Sequence, residues 1–558
     1  MKLNCKLAWL RALKAQGGTN VDDYGYRKDA DYDEIDINRL TDEDLKVLEQ
    51  IVKADKGASG VRSVTMKLSQ LWKIRADPAG AVITKLEALV EALKVYVGKT
   101  PHKWLFGEID DGQQVAWYVV KILYTPPDAR NGNPASTSMT LAAMSGRDKD
   151  DKTVSWHTNE IGRSCSALLT NKGYVLETPE LIENYEKECQ RYAEICDKTG
   201  EQFTASGQAT VKRSYYDTGL VSMEVDGLAT KVVMDDTPVE EDSERSSRSG
   251  RHKSVVVSAA FWVPGQKGRF DEDEETVVAL PLQPYVTVYE LQKHRFLWIN
   301  ANNLTEYAYD AELIDKLVLE KEKKDLVSIM VTGADMKLDD IVKGKTGGII
   351  AICTGNPGLG KTLTAEVFSE AMKRPLYCVQ CSQLGTSEAE LEKKLQMVLG
   401  RATRWRAILL IDEADVYIHA RGNDIEQNAI VGVFLRVLEY YRGVLFMTSN
   451  RETVVDDAIM SRATAWIQYT YPDTERLKRI WTVLAAQYDV PMGTLLLNAL
   501  VNHPNLGKNV SGRTVKNLLK LARLLSSGTK QVIDLSTFEY VSQFLDMDGK
   551  NRKKNDQH

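Results

Sequence analysis

The stretch that most constrains the fold of this chain is Gly355-Asn356-Pro357-Gly358-Leu359-Gly360-Lys361-Thr362. It fits the pattern G-x-x-x-x-G-K-[ST] without a mismatch. The apolar run 348–354 precedes it and predicts a buried strand, and the run 363–372 predicts a helix directly after it. A glycine-rich loop between a strand and a helix can point its backbone N–H groups at phosphate oxygens, and the helix N-terminus adds partial positive charge. The motif therefore predicts bound nucleotide phosphates, with Lys361 at the β- and γ-phosphates and the Thr362 hydroxyl in a Mg²⁺ shell.

Two later apolar runs also end in polar residues. Residues 407–411 are followed by Asp412 and Glu413, and residues 443–449 are followed by Asn450. An isolated acidic pair is usually a solvated strand end, but the phosphate-binding loop upstream favours a catalytic role here. Asp412 is predicted to hold Mg²⁺ and Glu413 to act as general base on the attacking water. Asn450 is predicted to orient that water.

Two arginines complete the set of candidate site residues. Arg462 ends a short predicted helix, 456–462, and is not explained as a core residue. It is either a surface arginine or a residue contributed to the γ-phosphate of a neighbouring subunit. Arg513 follows Gly512 at the start of a later predicted helix, 511–525.

These motifs resemble those of AAA+ ATPases of the AAA clade in order and spacing, over roughly residues 336 to 548. The segments that carry the resemblance are Gly355–Thr362, Ile408–Glu413, Thr448–Asn450 and Ser461–Arg462. The resemblance implies ATP and Mg²⁺ as cofactors, ATP hydrolysis, and a ring, usually a hexamer. It also implies that Asn450 is the sensor-1 residue, Arg462 an arginine finger acting in trans, and Arg513 a sensor-2 arginine contacting ATP in cis.

Two further observations refine the resemblance. Residues 285–346 are more loosely similar to the linker of an uncharacterised AAA-ATPase group with a large N-terminal region, through Pro284-Tyr285-Val286, Trp298, Asn302-Asn303-Leu304 and Leu317-Val318-Leu319. Rings that thread polypeptides usually carry an aromatic, an aliphatic and a glycine in the loop after the second strand. This chain has Gln383-Leu384-Gly385 there, so the aromatic is missing and Leu384 is left as the residue that could grip a substrate.

The fold class expected is α/β: a AAA+ P-loop parallel sheet with a small α-helical lid, preceded by a β-rich α+β domain and a helical N-terminal arm. In the arm, an apolar stripe predicts a helix over 81–96. In the β-rich domain, Asp110-Asp111-Gly112 marks a hairpin, and no catalytic cluster is recognised. The predicted domains are a helical region 1–100, a β-rich partner domain 101–310 with a disordered loop 235–253, a linker 311–335, a large ATPase domain 336–472, a helical lid 473–548 and a disordered tail 549–558.

Composition limits the alternatives. The net charge of −6 gives no global nucleic-acid footprint, although a local basic patch stays open. Seven cysteines, an odd number at low density, favour a reducing compartment, and Cys378 and Cys381 are interpreted as packing residues. No apolar run is long enough for a membrane span. The basic segment 1–16 leaves a transit peptide open, although a short amphipathic helix is favoured there, and the cytoplasm is the default location expected.

Three functions are consistent with these patterns. The first is an ATP-driven remodeller of a protein client, recruited through residues 1–310. The second is a nucleic-acid motor or loader, disfavoured because residues 383–388 carry no basic residue, although Arg401, Arg404 and Arg406 cluster nearby. The third is a scaffold whose assembly is gated by nucleotide.

Overall fold

The computed structural model divides into two compact units, Met1–Lys198 with Phe203–Glu306, and Thr199–Gln202 with Tyr307–His558. They are called unit 1 and unit 2 below. The structure describes residues 2–17, 32–36, 40, 42–55, 60–76, 82–83, 85–108, 114–127, 132–145, 148–214, 217–225, 230–235, 254–258, 275–333, 348–385, 387–419, 425–450 and 455–545. The predicted tail 549–558 and, apart from Asp235, the predicted loop 235–253 lie outside these residues.

The first part of unit 1 combines helices with a short strand pair. Its elements are β1 (Lys2–Lys6), α1 (Leu7–Ala15), β2 (Tyr32–Asp36), α2 (Asp42–Ala54) and α3 (Val61–Ala76). Strands β1 and β2 pair antiparallel, which the sequence did not predict. The three helices and the strand pair share a core that includes Trp9, Leu13 and Leu48. The indole N–H of Trp9 also donates to Asp55, at 2.9 Å.

The helix predicted over 81–96 begins later than expected. Its first residues instead form a short strand, β3 (Val82–Ile83), and α4 spans Leu86–Gly98. Two consecutive β-branched residues favour extended backbone, and β3 pairs with residues of a later strand, Arg163–Ser164. The predicted apolar stripe lies on α4, where Leu86, Leu89 and Leu93 are buried.

The first sheet of unit 1 contains the two antiparallel strands that flank the predicted hairpin turn, whereas the turn 110–112 lies outside the described residues. Its neighbourhood comprises β4 (Trp104–Glu108), β5 (Gln114–Thr125), β6 (Ser136–Ser145), β7 (Asp148–His157), β8 (Arg163–Ser164), α5 (Cys165–Asn171), β9 (Tyr174–Leu176) and α6 (Pro179–Ile195). Among the described strands the order is β16-β6-β5-β4-β9, with β7 paired to β6 and with β16 being Leu282–Gln283. Helix α4 packs on this sheet and shares its core. Thr178 caps α6 by accepting the N–H of Leu181, and Pro179 follows at the first helical position.

The second sheet of unit 1 has a separate core. The strands after α6 are β10 (Gln202–Ala205), β11 (Gly207–Ser214), β12 (Asp217–Val225), β13 (Lys231–Met234), β14 (Ser254–Ser258), β15 (Glu275–Ala279), β16, β17 (Tyr285–Glu290), β18 (Arg295–Asn300) and β19 (Leu304–Glu306). Seven of the described strands pair in the order β12-β11-β18-β17-β13-β10-β19, while β14 pairs with β15. The predicted β-rich α+β N-terminal region is therefore confirmed, with two sheets whose cores differ.

Unit 2 contains the predicted parallel sheet. Its elements are α7 (Leu313–Lys316), α8 (Lys321–Gly333), β20 (Ile349–Gly355), α9 (Lys361–Ala371), β21 (Leu376–Gln380), α10 (Cys381–Leu384), α11 (Glu388–Arg404), β22 (Ile408–Asp412), α12 (Asp415–Ile418), α13 (Ile425–Leu438), β23 (Val444–Ser449), α14 (Asp457–Arg462) and β24 (Ala465–Tyr469). Five described strands pair in the order β21-β22-β23-β20-β24, and every pair is parallel. Helix α13 and strand β24 were not predicted. The carboxyl ends of β20, β22 and β23 therefore meet at one edge of the sheet.

The predicted lid follows as four helices among the described residues. They are α15 (Thr474–Gln487), α16 (Thr494–Asn502), α17 (Gly512–Thr529) and α18 (Leu535–Ser542). Asp473, Ser511 and Asp534 cap three of them through their side chains. The helices enclose a core of their own around Trp481 and Phe538. Within the described residues, no helix is long and apolar enough to cross a membrane.

Candidate nucleotide site

The glycine-rich loop leaves a buried strand and enters a helix. Strand β20 is buried along almost its whole length and ends at Gly355, and α9 begins at Lys361. Gly355, Gly358 and Gly360 have φ values of 137°, 81° and 99°, which side-chain-bearing residues rarely adopt. A Cβ at Gly355 would lie 2.3 Å from the carbonyl oxygen of Tyr469. The loop conformation therefore depends on glycine both for backbone angles and for space.

Lys361 is a buried cation, only 6% exposed. Its Nζ donates to the carbonyl oxygens of Gly355 and Asn356, at 2.6 and 2.9 Å, and to Asn450 Oδ1, at 3.0 Å. Burial lowers the pKa of Lys361, and the carboxylates of Asp412 and Asp415 oppose that shift. Neutral oxygens thus hold the ammonium at the loop, where an anionic phosphate would be a stronger partner.

The acidic end of β22 lies beside the loop. The Thr362 hydroxyl donates to Asp412 Oδ1 at 3.0 Å, and the Thr448 hydroxyl donates to the same oxygen. A carboxylate and a hydroxyl are oxygen ligands of the kind that Mg²⁺ takes when it also binds phosphates and water. The side chains of Thr362 and Asp412 therefore fit a Mg²⁺ ion bound together with nucleotide phosphates.

Glu413 has an unusual backbone conformation. Its φ is 54°, in the left-handed region that costs energy for a residue with a Cβ. Thr448 stabilises this turn, because its hydroxyl accepts the N–H of Glu413 at 3.0 Å and its carbonyl accepts the N–H of Ala414 at 2.8 Å. The Glu413 side chain is exposed and lines the same cleft as Lys361. A carboxylate at the cleft wall on a strained backbone is the arrangement expected of a functional residue rather than a structural one.

Thr448 and Ser449 are functional candidates that the sequence interpretation did not single out. Both are nearly fully buried at the end of β23. Thr448 contacts both acidic residues of the site, and the Ser449 hydroxyl donates to Asp415. The available signal was the polar triplet 448–450 at the end of an otherwise apolar strand.

The lid reaches the loop through α17. The backbone N–H of Arg513 donates to the carbonyl oxygen of Gly358 at 3.3 Å. A Cβ at Gly358 would lie 2.8 Å from both Arg513 Cβ and Ser511 Oγ. This glycine therefore permits close packing of the first turn of α17 against the phosphate-binding loop.

One cleft collects most of the predicted site residues. Its lining includes Pro357, Gly358, Leu359, Gly360, Lys361, Thr362, Asp412, Glu413, Asn450 and Arg513. Arg462 is not among the residues that line it. At the end of α14, Arg462 Nη1 donates to the carbonyl oxygen of Ala458 at 3.2 Å, and Nη2 lies 3.7 Å from Glu439 Oε2. Gly355 and Asn356 do not line the cleft either, but their carbonyl oxygens accept from Lys361, so Arg462 is the predicted site residue that lies apart from the others.

The turn that could grip a polypeptide does not present its aliphatic residue. Leu384 is fully buried, and Gln383 Oε1 accepts the N–H of Gln380 at 3.0 Å. The Tyr417 hydroxyl lies 3.0 and 3.1 Å from the carbonyl oxygens of Cys381 and Gly385, and donates to them. The expectation that Leu384 could grip a substrate is therefore wrong for this conformation, because Tyr417 and the core retain the turn.

The arginines near residue 401 do not form one accessible basic patch, because Arg401 is buried whereas Arg404 and Arg406 are exposed.

Across the described part of the chain the seven cysteines carry no disulfide bond. Burial raises the pKa of Cys378 and of Cys381 to about 12, which leaves both thiols protonated at neutral pH.

Comparisons with known proteins agree with this geometry. The family model of the ATPase family associated with various cellular activities (AAA) matches residues 351–471. A putative 26S proteasome regulatory subunit homolog of Methanothermobacter thermautotrophicus is 26% identical over 182 residues, 30% of this chain and 47% of that protein. An uncharacterized AAA family ATPase of Sinorhizobium fredii is 27% identical over 131 residues, 22% of this chain and 40% of that protein. The chain thus spans less than half the length of either curated relative.

A solved structure shows a weaker likeness. A chain of the Escherichia coli MS115-1 HORMA:CdnC:Trip13 complex is 19% identical, with a TM-score of 0.35, over 42% of this chain and 90% of that chain. The family match, by contrast, covers most of β20, the acidic pair Asp412–Glu413 at the end of β22 and the polar end of β23. The parallel sheet, the helical lid and this match over residues 351–471 identify an AAA+ ATPase domain in the chain.

Proposed function

We propose that this chain binds ATP with Mg²⁺ in the cleft of unit 2 and hydrolyses it. The observation that carries the proposal is the meeting of Lys361, Thr362, Asp412, Glu413 and Asn450 at one edge of the parallel sheet. Loop N–H groups and the Lys361 ammonium bind the phosphates, and Arg513 contacts the nucleotide from the lid.

The remaining side chains have separate tasks in the proposed reaction. Glu413 accepts a proton from the attacking water, and Asn450 orients that water. Thr448 positions both Asp412 and Glu413 through its hydroxyl. Thr362 and Asp412 hold Mg²⁺, which neutralises the charge that develops on the phosphate oxygens when it is bound. A Glu413→Gln variant should therefore bind ATP and hydrolyse it very slowly.

Arg462 acts on the γ-phosphate of a neighbouring subunit in this proposal, which requires a ring, usually a hexamer in this family. Support comes from its place outside the cleft of its own subunit, at the end of α14. Arg462→Ala and Glu413→Gln should each be inactive alone. Mixed rings should regain turnover, because an Arg462→Ala subunit keeps Glu413 and receives Arg462 from its Glu413→Gln neighbour. Mixtures that stay inactive, although both variants assemble, would count against action in trans.

We further propose that the ring remodels a protein client recruited through residues 1–310, in the cytoplasm. The two sheets of unit 1, each with its own core, provide a large folded region in the same chain as the ATPase machinery. The experiment is to trap the Glu413→Gln form with ATP, image the assembly and identify the proteins that copurify. A client retained with ATP but released with ADP would support the proposal, and an assembly that retains no protein in either state would contradict it.

A nucleotide-gated scaffold is the second candidate function. The observation that favours it is the burial of Leu384, since a ring that pulls on polypeptide needs an exposed gripping residue. A scaffold should change its oligomeric state with ATP while its turnover is unaffected by any client. The nucleic-acid alternative is less well supported, because Arg401 is buried. ATPase stimulation by DNA or RNA with a steep salt dependence would revive it.

A further inference from the structure

A segment of unit 2 contacts the phosphate-binding helix α9 at one end and the lid at the other. Residues 307–323, called the strap here, precede the parallel sheet in the chain and include α7. At its first end, the Tyr307 hydroxyl donates to Glu370 Oε1 at 2.7 Å, and the N–H of Asp310 donates to Glu370 Oε2 at 3.1 Å. Glu370 is 7% exposed and lies in the last turn of α9, the helix that begins at Lys361. The strap is thus fixed to the helix that carries the phosphate-binding lysine.

The other end of the strap is bound to the lid by a charged pair. Arg476, in α15, donates through Nη1 to Glu320 Oε1 at 2.6 Å. The second oxygen, Glu320 Oε2, lies 2.9 Å from Lys323 Nζ. The side chain of Arg476 is 21% exposed and that of Glu320 is 33% exposed, so the pair is partly shielded from water. Arg476 also donates through Nε to Asp473, the cap of its own helix, at 2.9 Å.

Between these two ends the strap forms part of the cleft wall. Leu313, Leu317, Val318 and Leu319 line the cleft together with Arg476 and with lid residues such as Leu484. The strap leucines belong to the core of the parallel sheet, whereas Leu484 packs on the separate core of the lid. The pair Arg476–Glu320 therefore joins two cores across the wall of the nucleotide cleft.

We propose that Arg476 is a positioning residue that retains nucleotide, by holding the lid against the strap through Glu320. The inference rests on the proposed binding of nucleotide in this cleft. When the lid turns away from the strap, the apolar wall around the bound nucleotide opens on that side. The charged pair opposes this motion at the point where the lid begins, just after Asp473. The backbone contact of Arg513 with Gly358 links the lid to the loop at a second point, so loss of Arg476 should loosen the cleft without unfolding it.

The test is the dissociation rate of a fluorescent ADP analogue from the full chain, followed after addition of excess unlabelled ADP. Arg476→Met keeps the alkyl stem and removes the guanidinium, and we expect release about tenfold faster, as for loss of one partly exposed charge-assisted hydrogen bond. Glu320→Gln removes the negative charge of the same link from the strap side and leaves Arg476–Asp473 in place, so it should also speed nucleotide release. The double variant should release no faster than Arg476→Met alone.

Lys478→Met is the matched control. Lys478 lies on the same helix and pairs with Glu475 at 3.1 Å, within the lid. The Lys478→Met variant should release the ADP analogue at the wild-type rate. Thermal melting of each variant without nucleotide shows whether its fold is intact. If release were faster only because the fold is destabilised, the variants that release nucleotide faster would also have lower melting temperatures.

The outcomes separate this inference from the proposed function. If Arg476→Met and Glu320→Gln both release nucleotide at the wild-type rate, or if their effects add in full, the positioning role is wrong while nucleotide binding stands. If the wild-type chain retains no nucleotide, whereas the analogue is bound by a control AAA ATPase, both proposals fail.

Discussion

Replacement of Lys361 by alanine should remove most of the stabilisation that nucleotide gives to this protein. The ammonium is held by three oxygens around the phosphate-binding loop, at 2.6 to 3.0 Å, and is 6% exposed. A hydrogen bond from such a charged group to a phosphate contributes about 1.5–3 kcal/mol. The alanine variant should therefore bind nucleotide roughly 10- to 150-fold more weakly.

The assay is the melting temperature with and without Mg²⁺-nucleotide. At a nucleotide concentration of 100 times the wild-type Kd, binding stabilises the folded state by about 2.7 kcal/mol. The unit that holds the cleft, Thr199–Gln202 with Tyr307–His558, is large enough that 1 kcal/mol corresponds to about 2–4 °C. The wild type should thus gain about 5–11 °C. A variant with 100-fold weaker binding gains about 0.4 kcal/mol under the same conditions, or about 1–2 °C.

For each protein we compare only the rise in melting temperature that nucleotide produces. Lys361 also contacts loop oxygens without nucleotide, so its loss can change the melting temperature of the nucleotide-free protein. Lys393→Ala is the matched control, since Lys393 is an exposed lysine on α11. It should show the full wild-type increment. An increment for Lys361→Ala equal to that of the wild type would refute the assignment of this lysine to the phosphates.

Two further predictions concern residues that hold the site in place. Thr448→Val removes the hydroxyl shared by Asp412 and the Glu413 N–H, so kcat for ATP hydrolysis should fall at least about tenfold while ADP affinity stays unchanged. Thr403→Val, on α11, is its control, and equal kcat values for the two variants would contradict the positioning role. Tyr307→Phe removes a donor from the buried Glu370 and should destabilise unit 2 by about 1.5–3 kcal/mol in denaturant unfolding. Tyr309→Phe, whose ring packs on that of Tyr307 at 4.9 Å, should cost less; the reverse order would show that the hydroxyl of Tyr307 contributes little.

The parallel sheet and the lid could be predicted because their signals are local. Short apolar runs alternate with helical patterns from residue 348 onwards, and the residues that follow the runs are polar at the strand ends that face the cleft. Parallel pairing then brings Gly355, Asp412 and Asn450 to one edge without further information. Side-chain caps such as Asp473 and Ser511 mark where lid helices begin.

The contacts that adjust the site could not be predicted in the same way. Glu320 and Arg476 are 156 positions apart, and nothing in either local pattern indicates that they pair. Tyr417 retains the turn at Leu384 across more than thirty residues, so the burial of Leu384 follows from tertiary packing. The left-handed backbone of Glu413 is also invisible in the sequence, because it is stabilised by Thr448 on the neighbouring strand rather than by a glycine.

The strand order of the sheets in unit 1 could not be predicted from the sequence either. Each hairpin signal, such as the one that joins β4 and β5, reports the pairing of neighbours in the chain. The second sheet instead places β11 beside β18 and β10 beside β19, and these pairs are separated by many residues. Alternating apolar residues indicate that a strand exists but not which partner it takes.

ATP hydrolysis in this cleft is tested most directly by the rate of phosphate release from Mg²⁺-ATP, measured side by side for the wild-type chain and for Glu413→Gln, with equilibrium ATP binding measured on the same samples. We predict turnover in the wild type, retained ATP binding in Glu413→Gln, and a turnover in that variant lower by at least about a hundredfold. Phosphate release by Glu413→Gln at the wild-type rate would contradict the role of Glu413 as general base.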